Sequence, residues 1–306
     1  REVDALLEID SATLDPSEDV RLPERIGPFR RLQKVGEGGM GEVWEAEQES
    51  PVRRRLAFKL IKGGMDTKEV LARFESERQA LALMNHANIA KAFEAGSTDE
   101  GRPFFAMEYV RGVPLTEYFD IHRLETRDRL VLFMQVCEGV QHAHQNGIIH
   151  REIKPSNILV SVEDGKPIPK IIDFGVAKAS SQRLTERTLF TELGQWIGTP
   201  EYMSPEQAEL TGLDVDTRSD VYSLGVVLYE LLAGAQPFES GELRTAGFDE
   251  MRRLIMVVDP PRPSTRVSSM GDASQLAAER RRTDTHGLTR TLRGDLDWIV
   301  MKAIDK

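Results

Sequence analysis

A lysine stands in the middle of an apolar run, Leu56-Ala57-Phe58-Lys59-Leu60-Ile61, and it limits the folds open to this chain. In a strand, side chains alternate between two faces, so Ala57, Lys59 and Ile61 share one face and Leu56, Phe58 and Leu60 the other. Both faces are otherwise apolar. An ammonium embedded there is costly unless the fold brings it a carboxylate from elsewhere. The helical pattern that follows, Lys68 to Met84, supplies a candidate: Val70, Phe74, Glu77 and Leu81 fall on one stripe at i, i+4, i+7 and i+11. A glutamate on an apolar stripe has the same difficulty as the lysine, and each relieves the other. Taken alone, Lys59 could snorkel at a sheet edge; a pair accounts for both residues.

Upstream lies Gly36-Glu37-Gly38-Gly39-Met40-Gly41-Glu42-Val43, flanked by β-like runs at 31–35 and 43–46. Glycine lets backbone N–H groups approach phosphate oxygens with no Cβ in the way. No Gly-Lys-Ser/Thr follows, which excludes a Walker A loop. A strand rather than a helix comes next, which excludes the dinucleotide fingerprint. What remains is a strand–loop–strand cover over nucleotide phosphates, or, for the loop alone, a plain glycine-rich hairpin. A lysine held by a glutamate beside such a loop presents its ammonium to two phosphates as a fixed point charge.

Composition narrows the class. The 306 residues suggest two domains or lobes. With 40 basic and 50 acidic residues the net charge is −10, which argues against a nucleic-acid binder driven by phosphate neutralisation. The single cysteine, Cys137, excludes an internal disulfide and a cysteine-rich zinc site, and suits a reducing, cytoplasmic setting. No apolar run reaches the ~20 residues of a membrane span. Residues 1–27 are acidic and proline-punctuated and are expected to be an extension or linker. Residues 28–110 read as a small β-rich lobe with one helical interruption. Residues 111–306 read as a larger helical lobe, with a helix through Leu130, Phe133, Cys137, Val140 and His144 that stops at Asn146-Gly147 and another over Arg218 to Ala233. The stretch Pro260 to Arg293, rich in Pro, Ser, Gly and Arg, is expected to be a solvated loop or an insertion. The start at Arg1 and the helix-like end at Ile299 to Lys306 suggest a piece of a longer protein.

Three further segments complete a set: His150-Arg151-Glu152-Ile153-Lys154-Pro155-Ser156-Asn157, then Asp173-Phe174-Gly175, then Ser204-Pro205-Glu206. Together with the glycine loop, Lys59 and Glu77, they resemble the protein-kinase motifs in order and spacing, from about Phe29 to Lys306. The chain is similar to eukaryotic-like serine/threonine protein kinases of the bacterial type. The resemblance implies a bilobal α+β fold and transfer of the γ-phosphoryl group of ATP to serine or threonine of protein substrates. It implies Mg²⁺, with Mn²⁺ as a substitute, held by Asp173 and Asn157. Lys154 would sit near the transferred group and offset its charge. Val35, Val43 and Ala57 from above and Leu159 from below would sandwich the adenine, within the loop glycines Gly36, Gly38 and Gly41. Glu108 and Val110 would meet the adenine edge through backbone groups, with Met107 guarding the back of the pocket. Plain core packing is the other account of these apolar residues.

The chain departs from the family at one place: the motif reads His-Arg-Asp, and here it reads His-Arg-Glu152. The family's aspartate accepts the substrate hydroxyl proton and aims that hydroxyl at the phosphate. Glutamate keeps the charge and adds a methylene, about 1.5 Å of bond length. The expectation is an assembled nucleotide site with weakened transfer. The rivals are a pseudokinase that binds nucleotide and acts through contacts, and a scaffold that binds none. A small-molecule kinase is disfavoured by the Ser-Pro-Glu and Thr199 stretch, which in the family seats a peptide.

Supporting parts follow from the same resemblance. Asp220 shares an inward stripe with Leu224, Val227 and Leu231 and would accept backbone N–H bonds near His150 and Arg151. Thr199, in Gly198-Thr-Pro-Glu-Tyr202, would bond Lys154 and the base. Between Gly175 and Gly198, Thr188 or Thr191 would be phosphorylated, by self-phosphorylation in trans, with Arg151 as the partner of the phosphate. Glu206 would lack its arginine, and apolar surface near Trp298 would be exposed.

Overall fold

The computed structural model describes residues 24–38, 41–61, 84–174, 199–209, 215–245 and 247–306. The first lobe is an antiparallel sheet of β1 (Arg25–Ile26), β2 (Phe29–Gly38), β3 (Gly41–Gln48), β4 (Arg54–Ile61), β5 (Ala92–Ser97) and β6 (Pro103–Glu108). Its strand order is β1-β2-β3-β4-β6-β5. The alternation in β4 decides what the sheet does. Leu56, Phe58 and Leu60 turn to a buried cluster with Phe29, Ala46, Phe104 and Ala106, where the Phe58 and Phe104 rings stack at 4.8 Å. Ala57 and Lys59 take the opposite face, in register with Met107 and Phe105 of β6 and with Glu45 and Val43 of β3. The sheet reaches back to Arg25, so residues 25–26, expected in the linker, pair with Arg30 and Phe29.

The second lobe begins with β7 (Val113–Pro114), α1 (Leu115–Ile121) and α2 (Thr126–Gln145). Strands β8 (Ile158–Glu163) and β9 (Lys166–Ile171) form a small sheet with β7, in the order β7-β8-β9. Then come α3 (Pro205–Ala208), α4 (Thr217–Ala233), α5 (Ser240–Thr245), α6 (Phe248–Met256), α7 (Pro263–Ser269), α8 (Asp272–Glu279), α9 (Thr285–Leu292) and α10 (Asp295–Ala303). One core joins α2, α4 and the C-terminal helices through Val136, Val140, Val227, Leu231, Leu288 and Val300. Among the described residues no helix is long and apolar enough to cross a membrane.

Here the structure corrects the expectation of a solvated loop over Pro260 to Arg293. The segment is three helices. Its polar composition hides a sparse buried set, Val267, Ala277, Ala278, Leu288 and Leu292, while Leu276 stays exposed. Arg281, an apparent surface charge, is buried too, and caps the end of α4 by donating to the Leu231 carbonyl at 2.8 Å. On α10, the opposite side from that core leaves Trp298 69% exposed.

The two lobes are stitched where β9 ends. Ile171 pairs in parallel with Ile89, donating to the Asn88 carbonyl at 2.8 Å and accepting from the Ala90 N–H at 2.9 Å. The Asn88 side chain donates to the Pro169 carbonyl at 2.8 Å. Helix α2 crosses this seam at Gly139, where a Cβ would stand 2.9 Å from Ile171 Cδ1 and 3.3 Å from the Asn88 carbonyl oxygen. Glycine is required there for the close approach.

Candidate active site

The loop between α2 and β8 is held by a buried carboxylate. Asp220, on the first turn of α4, is fully buried and accepts from the backbone N–H of His150 and of Arg151, each at 2.8 Å. It also meets His144 Nε2 at 2.7 Å. Asp216 caps α4 by accepting the Arg218 N–H, so Asp220 is not spent on capping. His150 is buried, and burial pushes its imidazole below the ordinary value. Its two nitrogens are both used: Nδ1 faces the Glu152 N–H at 3.2 Å and Nε2 the Ile172 carbonyl at 3.1 Å. That assigns the proton to Nε2. The ring packs against Phe174 at 4.6 Å.

These contacts bring the polar side chains together. Glu152 Oε1 lies 2.9 Å from Lys154 Nζ, which lies 3.3 Å from Thr199 Oγ1. The Asn157 amide nitrogen donates to the Glu152 carbonyl at 2.9 Å. Lys59, buried on the sheet's second face, forms an ion pair with Asp173 Oδ1 across 114 residues of sequence. Two residues here have left-handed backbone, Arg151 at φ 66° and Asp173 at φ 60°. Such conformations persist in residues with a Cβ only when the surroundings over-determine them.

The donor set decides what this seam could hold. Asn157 has spent its nitrogen, which leaves the amide oxygen as an acceptor. Asp173 offers two carboxylate oxygens, one of them shared with Lys59. Among the described residues no group of three or more His, Cys, Asp or Glu gathers anywhere. One amide oxygen and one carboxylate suit Mg²⁺, which takes one or two protein oxygens and fills its shell with phosphate and water.

The apolar residues expected around adenine are half-buried or exposed. Val35 is 44% exposed, and Val43, Ala57, Met107 and Leu159 are half-buried, outside the phenylalanine cluster. Met107 packs in addition against the main core, so core packing accounts for part of its burial. At the strip linking the lobes, the Glu108 N–H is taken by the Lys91 carbonyl at 2.8 Å. The Val110 carbonyl accepts from Gly112, and its N–H has no partner among the described residues. The Glu108 carboxylate accepts from Lys170 Nζ at 2.5 Å, joining this strip to β9. A Cβ at Gly41 would meet the Leu60 carbonyl oxygen at 2.1 Å, so the sheet itself demands glycine there. Gly36 and Gly38 face nothing within 4 Å.

Glu77, Gly175, Thr188 and Thr191 lie outside the described residues. Glu206, expected to lack a partner, accepts from the Ser219 hydroxyl, because the start of α4 turns that serine toward α3. Three residues escaped sequence reasoning. His144 carried a legible signal, a polar side chain on an inward helical stripe. Lys170 and Gln207, whose amide reaches the Arg151 carbonyl at 2.8 Å, carried none, since their partners are 62 and 56 residues away.

A β-sheet lobe meets a helical lobe here, with Lys59, Asp173, Asn157 and the His150 loop at the seam, which is the bilobal architecture of the protein-kinase fold. Residues 29–280 match the family model described as the protein kinase domain, and the chain belongs to that family. It is similar to the serine/threonine-protein kinase Pkn1 of Myxococcus xanthus, 35% identical over 265 residues, covering 86% of this chain and 36% of Pkn1. It is 36% identical over 243 residues to the serine/threonine-protein kinase PknA of Mycobacterium tuberculosis, covering 78% of this chain and 52% of PknA. The chain thus spans about a third to a half of these relatives. Among solved structures, the PknI kinase domain of M. tuberculosis superposes with a TM-score of 0.59 at 22% identity, covering 92% of this chain and 96% of that one. At that identity the likeness speaks to fold alone.

Proposed function

We propose that this domain transfers the γ-phosphoryl group of ATP to serine or threonine hydroxyls of proteins, with Glu152 as the base. The observation that carries the proposal is the direct chain of contacts Glu152–Lys154–Thr199 beside the Lys59–Asp173 pair, built from four distant segments. The open Gly36 and Gly38 positions suit a loop that approaches phosphates. Lys59 would hold the α- and β-phosphates, and the Val110 N–H would donate to the adenine edge. Asp173 and Asn157 would hold Mg²⁺ or Mn²⁺, which supplies neutralisation of the phosphate charge when bound with ATP.

Glu152 would accept the proton of the attacking hydroxyl as the new O–P bond forms and the bond to the β-phosphate oxygen breaks, releasing ADP. Lys154 offsets charge on the moving group. Thr199 ties Lys154 to the segment that seats the substrate. Arg151 Nε is buried with no partner among the described residues. That supports Arg151 as the partner of a phosphate on Thr188 or Thr191, added in trans by a second copy. A cytoplasmic setting, where ATP is supplied and Cys137 stays reduced, fits the same proposal.

The added methylene of Glu152 points to attenuated transfer. A second reading rests on Glu152 standing where the family has aspartate: a pseudokinase that binds nucleotide without transferring phosphate. Incubation with radiolabelled ATP, Mg²⁺ and a generic protein substrate, followed by phosphoamino-acid analysis, separates them. Phosphoserine and phosphothreonine that vanish in Lys59→Met support the kinase. A thermal shift with ATP and Mg²⁺, but no transfer even in Glu152→Asp, supports the pseudokinase; no shift at all supports a scaffold.

A further inference from the structure

The peptide group between Arg151 and Glu152 is gripped at both of its polar atoms. Its N–H, belonging to Glu152, faces His150 Nδ1 at 3.2 Å. Its carbonyl, belonging to Arg151, accepts from Gln207 Nε2 at 2.8 Å. Asp220 holds the Arg151 N–H, and so restrains the peptide before Arg151 rather than the one after it. Arg151 has a φ of 66°, a conformation that a residue with a Cβ keeps only under outside restraint. The peptide from which the Glu152 side chain departs is therefore fixed by two groups, His150 and Gln207.

Gln207 is committed at its other end as well. Its Oε1 accepts from the Ser204 N–H at 3.1 Å and from the Ser204 hydroxyl at 3.2 Å. The oxygen sits on two donors and the nitrogen on a carbonyl, so the amide has one satisfactory orientation. One side chain thereby links the start of α3, just after the segment bearing Thr199, to the carbonyl preceding Glu152.

We infer that Gln207 is a positioning residue for Glu152: its donation to the Arg151 carbonyl sets the Arg151–Glu152 peptide plane and, through it, the aim of the Glu152 carboxylate. This rests on the kinase reading of Glu152. Without the donor, ψ of Arg151 and φ of Glu152 are released together, and the carboxylate moves with them. A displacement of about 1 Å near reacting atoms costs on the order of 100-fold in rate.

Gln207→Glu isolates the donor, since a carboxylate keeps the size and the acceptor role toward Ser204 but has no N–H. The expected result is a kcat lower by about 10- to 100-fold, with KM for ATP within about two-fold. In a Glu152→Gln background the same change should cost nothing further, because the group it aims is gone. Should Gln207→Glu fail to fold, Gln207→Met, which removes the donor at similar volume, takes its place. An unchanged kcat, or an equal loss in the Glu152→Gln background, overturns the inference. If the wild-type chain transfers no phosphate, the kinase reading fails and amide hydrogen exchange still decides this one. Faster exchange of the Glu152 N–H in Gln207→Glu supports it; unchanged exchange overturns it.

Discussion

Replacing Glu152 by aspartate removes one methylene from the proposed base and leaves everything around it in place. The backbone of Glu152 has little freedom to compensate for its longer side chain. Its N–H faces His150 Nδ1 at 3.2 Å and its carbonyl accepts from Asn157 at 2.9 Å, while the neighbouring Arg151 N–H is bound to the buried Asp220. The extra bond, about 1.5 Å long, must be absorbed within the side chain. There the carboxylate is already committed to Lys154 at 2.9 Å. Side-chain rotation recovers part of that reach, so the residual misplacement lies below 1.5 Å. At about 100-fold per ångström near the reacting atoms, kcat should rise about 10- to 100-fold in Glu152→Asp. That equals about 1.4–2.7 kcal/mol of barrier. KM for ATP should move by less than about two-fold, because Lys59, Asp173 and the lobe-linking strip are untouched. Steady-state assays on a generic protein substrate, with purified wild type and Glu152→Asp side by side, measure both quantities. A kcat equal to or below wild type refutes the geometric reasoning. A gain confined to KM would locate the defect in binding.

Other perturbations have equally definite outcomes. Asp220→Asn turns one acceptor oxygen toward a buried N–H donor as an NH₂, and should cost about 1–3 kcal/mol in urea unfolding; a loss under about 0.5 kcal/mol would show that the contacts with His150 and Arg151 are dispensable. Leu288→Ala should cost about 2–5 kcal/mol, because Leu288 is fully buried in the core shared with α4. A cost near zero would return the 260–293 segment to a surface loop. Burial holds His150 below its ordinary value of 6.5, so the fold favours the neutral ring. The stabilisation this brings is complete above pH 6.5 and is lost as pH falls from there through the lower folded value. His86 is depressed in the same sense, by burial and then by His142. Tm should therefore drop between about pH 7.5 and about pH 5.5, and drop less in His150→Gln; an identical slope in that variant assigns the loss elsewhere.

Local pattern carried much of this molecule. The alternation around Lys59, the helix stop at Asn146-Gly147 and the inward stripe of Asp220 are properties of contiguous residues, and the sequence alone determines them. The same is true of the order of Gly36–Val43, Lys59, His150–Asn157, Asp173 and Ser204–Glu206, which identifies the family before any contact is known. Partners are another matter. Lys59 meets Asp173, Glu206 meets Ser219, Lys170 meets Glu108 and Gln207 meets the Arg151 carbonyl. None of these is written in local periodicity, because a buried polar group needs some partner, and the path of the chain chooses which. The helices at 263–292 were illegible for a related reason. Their few apolar residues are too sparse to announce a core, and only packing against α4 makes burying them favourable.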